Sequence, residues 1–274
     1  MAFTFLFTIN ANGQEKSEKD VTETFKPVFI TITKTQRIMD PDTDFDEWLK
    51  IEKEYFDKVI MKNDLIIGSG VYFHYFTPDD SEVLLVSVYK NWGDIEKATQ
   101  ITGELIDEAW PNLEEKSNFL KKQNNHYEDQ HSDEIYVSLP YTKVLESKSD
   151  KPLIYYLKRN ELGDGGSGFK EYFENVTMKN SFIKGYNSHR HRWGSNSKDA
   201  IEMFVFDNFA DIEKSFEENE RLINEHWTDE KAREAFFKEY DKLFTRHGDF
   251  IYRIGLLLFR QFYIIYITIS SKSQ

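Results

Sequence analysis

The chain of 274 residues contains no cysteine, which excludes disulfides, thiolate catalysis and cysteine-ligated zinc. It also lacks an extended basic stretch: the only dense cluster is His189-Arg190-His191-Arg192, set in a chain of net charge −13. That balance repels a phosphate backbone, so nucleic acid is not an expected partner. Uninterrupted apolar runs are short as well. The strongest, 254–270, is broken by Arg260-Gln261, and a membrane helix needs about 20 apolar residues, so a membrane span is not expected. No catalytic motif of high specificity occurs. What is present is 39% hydrophobic and 16% aromatic residues, enough for packed cores rather than disorder.

The dominant positive feature is a repeat. Positions 54–68, EYFDKVIMKNDLIIG, return at 171–185 as EYFENVTMKNSFIKG, a constant shift of 117. Asn91, Asp94-Ile95-Glu96-Lys97 and Trp110 recur at the same shift as Asn208, Asp211-Ile212-Glu213-Lys214 and Trp227. A unit this long exceeds the roughly 20–50 residues of a solenoid repeat, so each copy reads as a small domain.

Within a unit, 26–34 alternates apolar and β-branched residues as a half-buried strand does, and 151–159 matches it at a shift of 125. The eight extra residues of the first copy fall in a turn-rich loop at 38–45. Apolar residues at helical spacing then mark 46–62 and 169–179. The second of these follows Gly-rich GDGGSG at 163–168, which reads as a flexible connection rather than a phosphate cradle because the Gly-x-Gly-x-x-Gly order is absent. Strands follow at 65–76 and 82–89, and at 182–193 and 199–206. Helices are expected from Asp94 and Asp211, charged helices at 112–127 and 229–244, and closing strands at 134–139 and 250–254. The fold class is thus α+β, two tandem ferredoxin-like (βαββαβ) units with antiparallel sheets that face one another as an intrachain α/β barrel. The expected division is a signal remnant and linker at 1–25, a first repeat at 26–140, a linker at 141–150, a second repeat at 151–254 and an apolar tail at 255–274. Residues 2–9 are apolar and lead to Ala11-Asn12-Gly13, a pattern that suggests export to a periplasmic or extracellular place over a cytoplasmic one.

In element order, in its internal repeat and in the Asp94-Ile95-Glu96-Lys97 entry to the second helix, the sequence resembles the dimeric α/β-barrel superfamily. That group includes antibiotic-biosynthesis monooxygenases, EthD-like proteins and stress-responsive barrel proteins, and the resemblance is strongest to members with two units fused, as in the chlorite-dismutase group. It implies a cavity, between sheet and helices or between the sheets, of the kind that superfamily uses for small organic molecules or haem. No catalytic residue is carried over, and no subfamily signature is matched.

Alternation sorts the strand residues by face. Leu84, Val86, Val88, Ile201, Met203 and Val205 are expected to meet the helices, leaving the mixed face with Leu85 and Glu202 as a cavity wall. A hairpin register of 74 with 85 and 191 with 202 adds His74, His189, His191, Tyr72 and Trp193 to that wall. The imidazoles would serve as bases or hydrogen-bond partners for a ligand, and Tyr136 and Tyr252, repeated on the closing strands, are further polar anchors. His131 and His247, also repeated, read as helix-capping loop residues. A metal on His189, His191 and Glu202 is an alternative to no metal, and haem on His226 an alternative to no cofactor. The expected function is binding of a small organic ligand, with self-association open. The alternatives are a cofactor-independent oxygenase acting on a small aromatic molecule and a haem-binding barrel.

Overall fold

Strand and helix periodicities produce eight strands and six helices among the described residues, and each half of the chain runs β-α-β-β-α-α-β. The structure, a computed structural model, describes residues 25–39, 45–145 and 151–260. The expected signal remnant, most of the 38–45 loop, the core of the linker and the tail beyond 260 lie outside the described residues. The strands are β1 (Phe29–Arg37), β2 (Gly68–Phe76), β3 (Glu82–Tyr89), β4 (Tyr127–Lys143), β5 (Ile154–Leu162), β6 (Gly185–Trp193), β7 (Asp199–Phe206) and β8 (Phe244–Arg260). The helices are α1 (Phe45–Lys58), α2 (Trp92–Ala109), α3 (Leu113–Asn124), α4 (Phe169–Tyr172), α5 (Ala210–His226) and α6 (Glu230–Tyr240).

The strands close into one barrel in the order β1-β3-β2-β8-β5-β7-β6-β4, and every neighbouring pair is antiparallel. The two half-sheets therefore do not simply face one another, as the sequence suggests. They are hydrogen-bonded edge to edge, β2 to β8 and β6 to β4. Closure removes every free sheet edge.

The face assignment is reversed relative to expectation. Leu84, Val86, Ile201, Met203 and Val205 point into the barrel, where Ile30, Tyr72, Tyr155 and Tyr252 join them. The opposite face meets the helices: Val83 packs with Trp48 and Phe56 of α1, and Phe206 with Ile212 of α5. The physical reason is that these strands are buried on both sides, so apolar content does not say which face is inside. The hairpins pair Phe73 with Val83 and Arg190 with Ala200. One step further, His74 faces 82 and His191 faces 199, an odd offset of three from the expected register, and an odd offset exchanges faces.

The repeated motif now has a mechanical meaning. Asn63 and Asn180, the last residues of the two MKN triplets, have no exposed surface. Asn63 donates to the Ala98 carbonyl (2.9 Å) and to Thr102 Oγ1 (3.0 Å), and accepts from the Leu65 N–H (3.2 Å). Asn180 repeats this with the Ser215 carbonyl, Asn219 and the Phe182 N–H. Each asparagine ties the turn after the first helix to the middle of the second. Trp110 and Trp227 tie the second helix of each half to the third, Trp110 stacking on Phe119 at 4.0 Å and Trp227 meeting Phe236 at a tilt at 4.2 Å.

Two further expectations change. The 163–168 loop is held rather than flexible: Gly163 N–H donates to Leu243 O (2.8 Å), Gly166 and Gly168 both have φ +97°, and a Cβ at Gly168 would lie 2.6 Å from the Phe236 ring. Glycine is needed there for conformation and close approach. The last strand also does not stop at Ile254 but runs on to Arg260, after an irregularity opposite Gly70 and Tyr72. β4 has a matching irregularity between Ser138 and Thr142, so 255–260 has a structural counterpart in the first half.

Candidate functional site

The barrel interior encloses a cavity of about 150 Å³ walled chiefly by aliphatic side chains, among them Ile30, Leu84, Val86, Leu157, Ile201 and Met203. That volume suits a body the size of one benzene ring. Tyr72 and Tyr155 meet edge to face across the interior at 5.0 Å. Polar groups sit at two places on the wall. His189 and Asn187 project from β6, with Ser138 and Thr142 from β4 beside them, while Tyr252 stands toward the other end.

His189 is the most unusual of these. Its Nδ1 is buried with no hydrogen-bond partner, and desolvation alone pushes its pKa down to about 4. The ring is therefore a neutral imidazole at neutral pH. A buried polar atom without a partner costs about 1–3 kcal/mol, and native structures rarely leave one without a reason.

Beyond Tyr252 the barrel end is filled by two matched polar networks. Tyr136 donates to Asp199 Oδ2 (3.2 Å), which also accepts from Arg159 Nε (2.8 Å). Tyr252 donates to Glu82 Oε1 (2.5 Å), and Glu82 pairs with Lys34. Tyr136 and Tyr252 occupy equivalent strands, as do Asp199 and Glu82, and Arg159 and Lys34. In each network the tyrosine comes from one half and the acid-base pair from the other. Burial first, then the partner carboxylate, raises both phenol pKa values.

The remaining expected residues are dispersed. His191 lies near Tyr136 (ring centroids 6.3 Å) with Nε2 3.8 Å from Glu134, and Glu134 itself accepts the Ser195 hydroxyl (2.5 Å). His74 Nδ1 is 2.8 Å from Thr77 Oγ1. Trp193 is 69% exposed, outside the cavity. Glu202 faces the helices, accepting from Tyr186 (2.8 Å) and Asn160 (2.8 Å), on the opposite face from His189. The set His189, His191 and Glu202 therefore cannot converge on a metal, and among the described residues no group of three or more His, Asp or Glu is placed to hold one. His131 and His247 are exposed and each lies 3.2 Å from the aspartate two positions on, so neither caps a helix. His226 does not fit a haem ligand: it is exposed at the end of α5, its Nε2 3.1 Å from Glu171. The layer between the second half-sheet and its helices is filled by Phe173, Tyr186, Phe204 and Phe206. No helix among the described residues is long and apolar enough to cross a membrane.

Sequence reasoning missed Glu82, Asp199, Lys34 and Arg159. The signal was available, since Glu82 and Asp199 recur at the shift of 117 and Lys34 and Arg159 at 125.

No family model matches the sequence, and no curated protein matches it. Solved structures do. A candidate monooxygenase from Fusobacterium nucleatum superposes with a TM-score of 0.53 at 10% identity, covering 86% of this chain and 94% of that one. A chlorite dismutase variant from Candidatus Nitrospira defluvii gives 0.51 at 13% identity, with 84% and 92% covered. At such identities the likeness speaks to fold alone. The chain shares its fold with these structures, and among the described residues one polypeptide supplies the whole barrel.

Proposed function

We propose that this protein binds a small, largely apolar molecule inside its barrel, with His189 as the hydrogen-bonding anchor and Tyr72 and Tyr252 shaping the wall. The observation that carries this reading is the unpartnered, buried Nδ1 of His189 on the wall of an otherwise aliphatic cavity. An apolar cavity with a few convergent polar groups is the usual form of a small-molecule site. A neutral imidazole can donate to or accept from a hydroxyl or carbonyl without an ion having to be desolvated. We also read the two halves as tandem ferredoxin-like units, each contributing a four-stranded order (β4-β1-β3-β2 and β8-β5-β7-β6) to the closed sheet.

Thermal denaturation with toluene and phenol as probes tests the site. At ten times its Kd a ligand adds about 1.4 kcal/mol, which raises Tm by roughly 3–6 °C. His189→Leu is expected to weaken phenol about fivefold, the value of one hydrogen bond of about 1 kcal/mol, while leaving toluene unchanged; Val86→Phe fills the cavity and abolishes both. If neither probe shifts Tm in the unaltered protein, the interior is a core and not a site.

An oxygenase acting on a small aromatic molecule would use the same cavity. What favours it is Tyr252, whose hydroxyl reaches from the cavity wall to the buried Glu82 carboxylate, a path along which a proton from a bound phenol can leave. Oxygen uptake driven by a phenolic substrate separates an enzyme from a binding protein.

A further inference from the structure

The cavity wall carries a polar row on the β4–β6 side that the equivalent β8–β2 side does not repeat. His189 is paired with Ser138 and Asn187 with Thr142, and all four line the cavity. The same pairings in the first half join Tyr72 to Ile254 and Gly70 to Phe259. Two atoms of the row are buried without a hydrogen bond, His189 Nδ1 and Thr142 Oγ1. The Ser138 hydroxyl differs, since it accepts from the Val28 N–H (2.9 Å). The fold itself does not call for either orphan: the first half closes the same strand pair with Tyr72 and Phe259 and leaves no buried polar atom unpartnered at those two places. Threonine where the other half has a phenyl ring also leaves room beside the row. The wall holds no Asp or Glu. Its cations Lys143 and Arg260 donate to the Asn180 and Asn63 carbonyls (2.7 and 3.1 Å) on the helix side of the sheet, so the groups turned inward are neutral.

The geometry points to an uncharged ring with two oxygen groups on one edge, in 1,2 or 1,3 relation, one held by His189 and the other by Thr142. This deepens, and rests on, the reading of the barrel interior as a ligand site. His189 and Thr142 are diagonal neighbours across the β4–β6 pair, a separation of about 7–8 Å, and both line the same interior. Oxygens on one edge of a ring can reach both. Oxygens in 1,4 relation leave from opposite edges, so only one of them can meet the row. A hydroxyl and a neutral imidazole can each donate and accept, which suits a ligand hydroxyl or carbonyl at either point. A carboxylate does not suit the row, because it would lose its water without a cation to pair with.

Calorimetric titration of the full chain with phenol, resorcinol and hydroquinone under nitrogen tests this, because the two diols have one composition and differ in where the second hydroxyl stands. Resorcinol is expected to bind about fivefold more tightly than phenol, the gain from one further hydrogen bond, and hydroquinone no more tightly than phenol. Thr142→Val should bring resorcinol down to the affinity of phenol and leave phenol unchanged. Thr142→Ser keeps the hydroxyl and should keep the preference, while His189→Leu should weaken both ligands. Should Thr142→Val fail to fold, the comparison of resorcinol with hydroquinone in the unaltered protein decides alone. Resorcinol no tighter than phenol, hydroquinone equal to resorcinol, or a preference that survives Thr142→Val overturns the two-point assignment, and a Tm shift by toluene then leaves the cavity reading standing. Binding of none of the three, together with no Tm shift by toluene, overturns the cavity reading itself.

Discussion

At the scale of single residues, His189 links the interior to pH. Its folded pKa of about 4 lies below the ordinary 6.5, so between these values the unfolded chain holds a proton that the folded one does not. Stability is then complete above pH 6.5 and falls as pH drops toward 4, by a total of roughly 3 kcal/mol. Urea midpoints of the unaltered protein and of His189→Leu, measured from pH 4 to 7, should diverge with that sign; parallel curves would show that the ring is solvated. The presence of this histidine on a strand was legible from the HRHRW sequence, but its surroundings were not. Periodicity placed it on the same face as His191 and opposite Arg190. It could not show that this face is the inside of a closed sheet, because the neighbouring β7 is buried on both faces. Glu202 is the counterexample at the same scale: it was read as part of the cavity wall because the mixed face was taken for the inside, whereas it faces the helices beside Tyr186.

At the scale of elements, the two tyrosine networks join strands from different halves. Asp199 is buried at the start of β7 and holds Tyr136 of β4, Arg159 of β5 and Asn196 of the preceding turn. Asp199→Ala leaves these donors unmatched and is expected to cost about 3 kcal/mol, lowering Tm by roughly 6–12 °C. Asp164→Ala is the control: its 95% exposed side chain meets only Lys198, and it should change Tm by less than about 2 °C. Differential scanning calorimetry of the two variants distinguishes a structural tie from a surface charge. Element order was the most legible layer of this protein, since the repeat let each half check the other. The lengths of β4 and β8 were not, because the irregularities at 139–141 and 255–258 interrupt the alternation by which strands are recognised. Lys143 and Arg260, the last residues of these strands, were hidden for the same reason, falling in stretches that read as a linker and a tail.

At the scale of the whole molecule, four strand-to-strand seams decide behaviour. Two lie at the half-to-half junctions, β2 with β8 and β6 with β4, and two are the β5–β8 and β1–β4 pairings that bring each half's last strand beside its first. Neither half can close without the other. Heating should therefore give a single cooperative transition, with calorimetric and van't Hoff enthalpies equal. Two resolved transitions would mean that the halves are independent cores. Because both halves belong to one chain, the midpoint should also be independent of protein concentration, unlike that of a barrel assembled from separate subunits.

One chain in place of two subunits has a further effect on the cavity. In a barrel made by two identical subunits, every residue on the wall appears twice, related by a two-fold axis. Here His189 stands at the position equivalent to Tyr72, and both line the same cavity. A symmetric wall would carry two histidines or two tyrosines, and the buried polar atoms or the lost volume would come in pairs. The covalent link breaks that symmetry, so the interior has distinguishable sides and can hold an unsymmetrical molecule in one orientation.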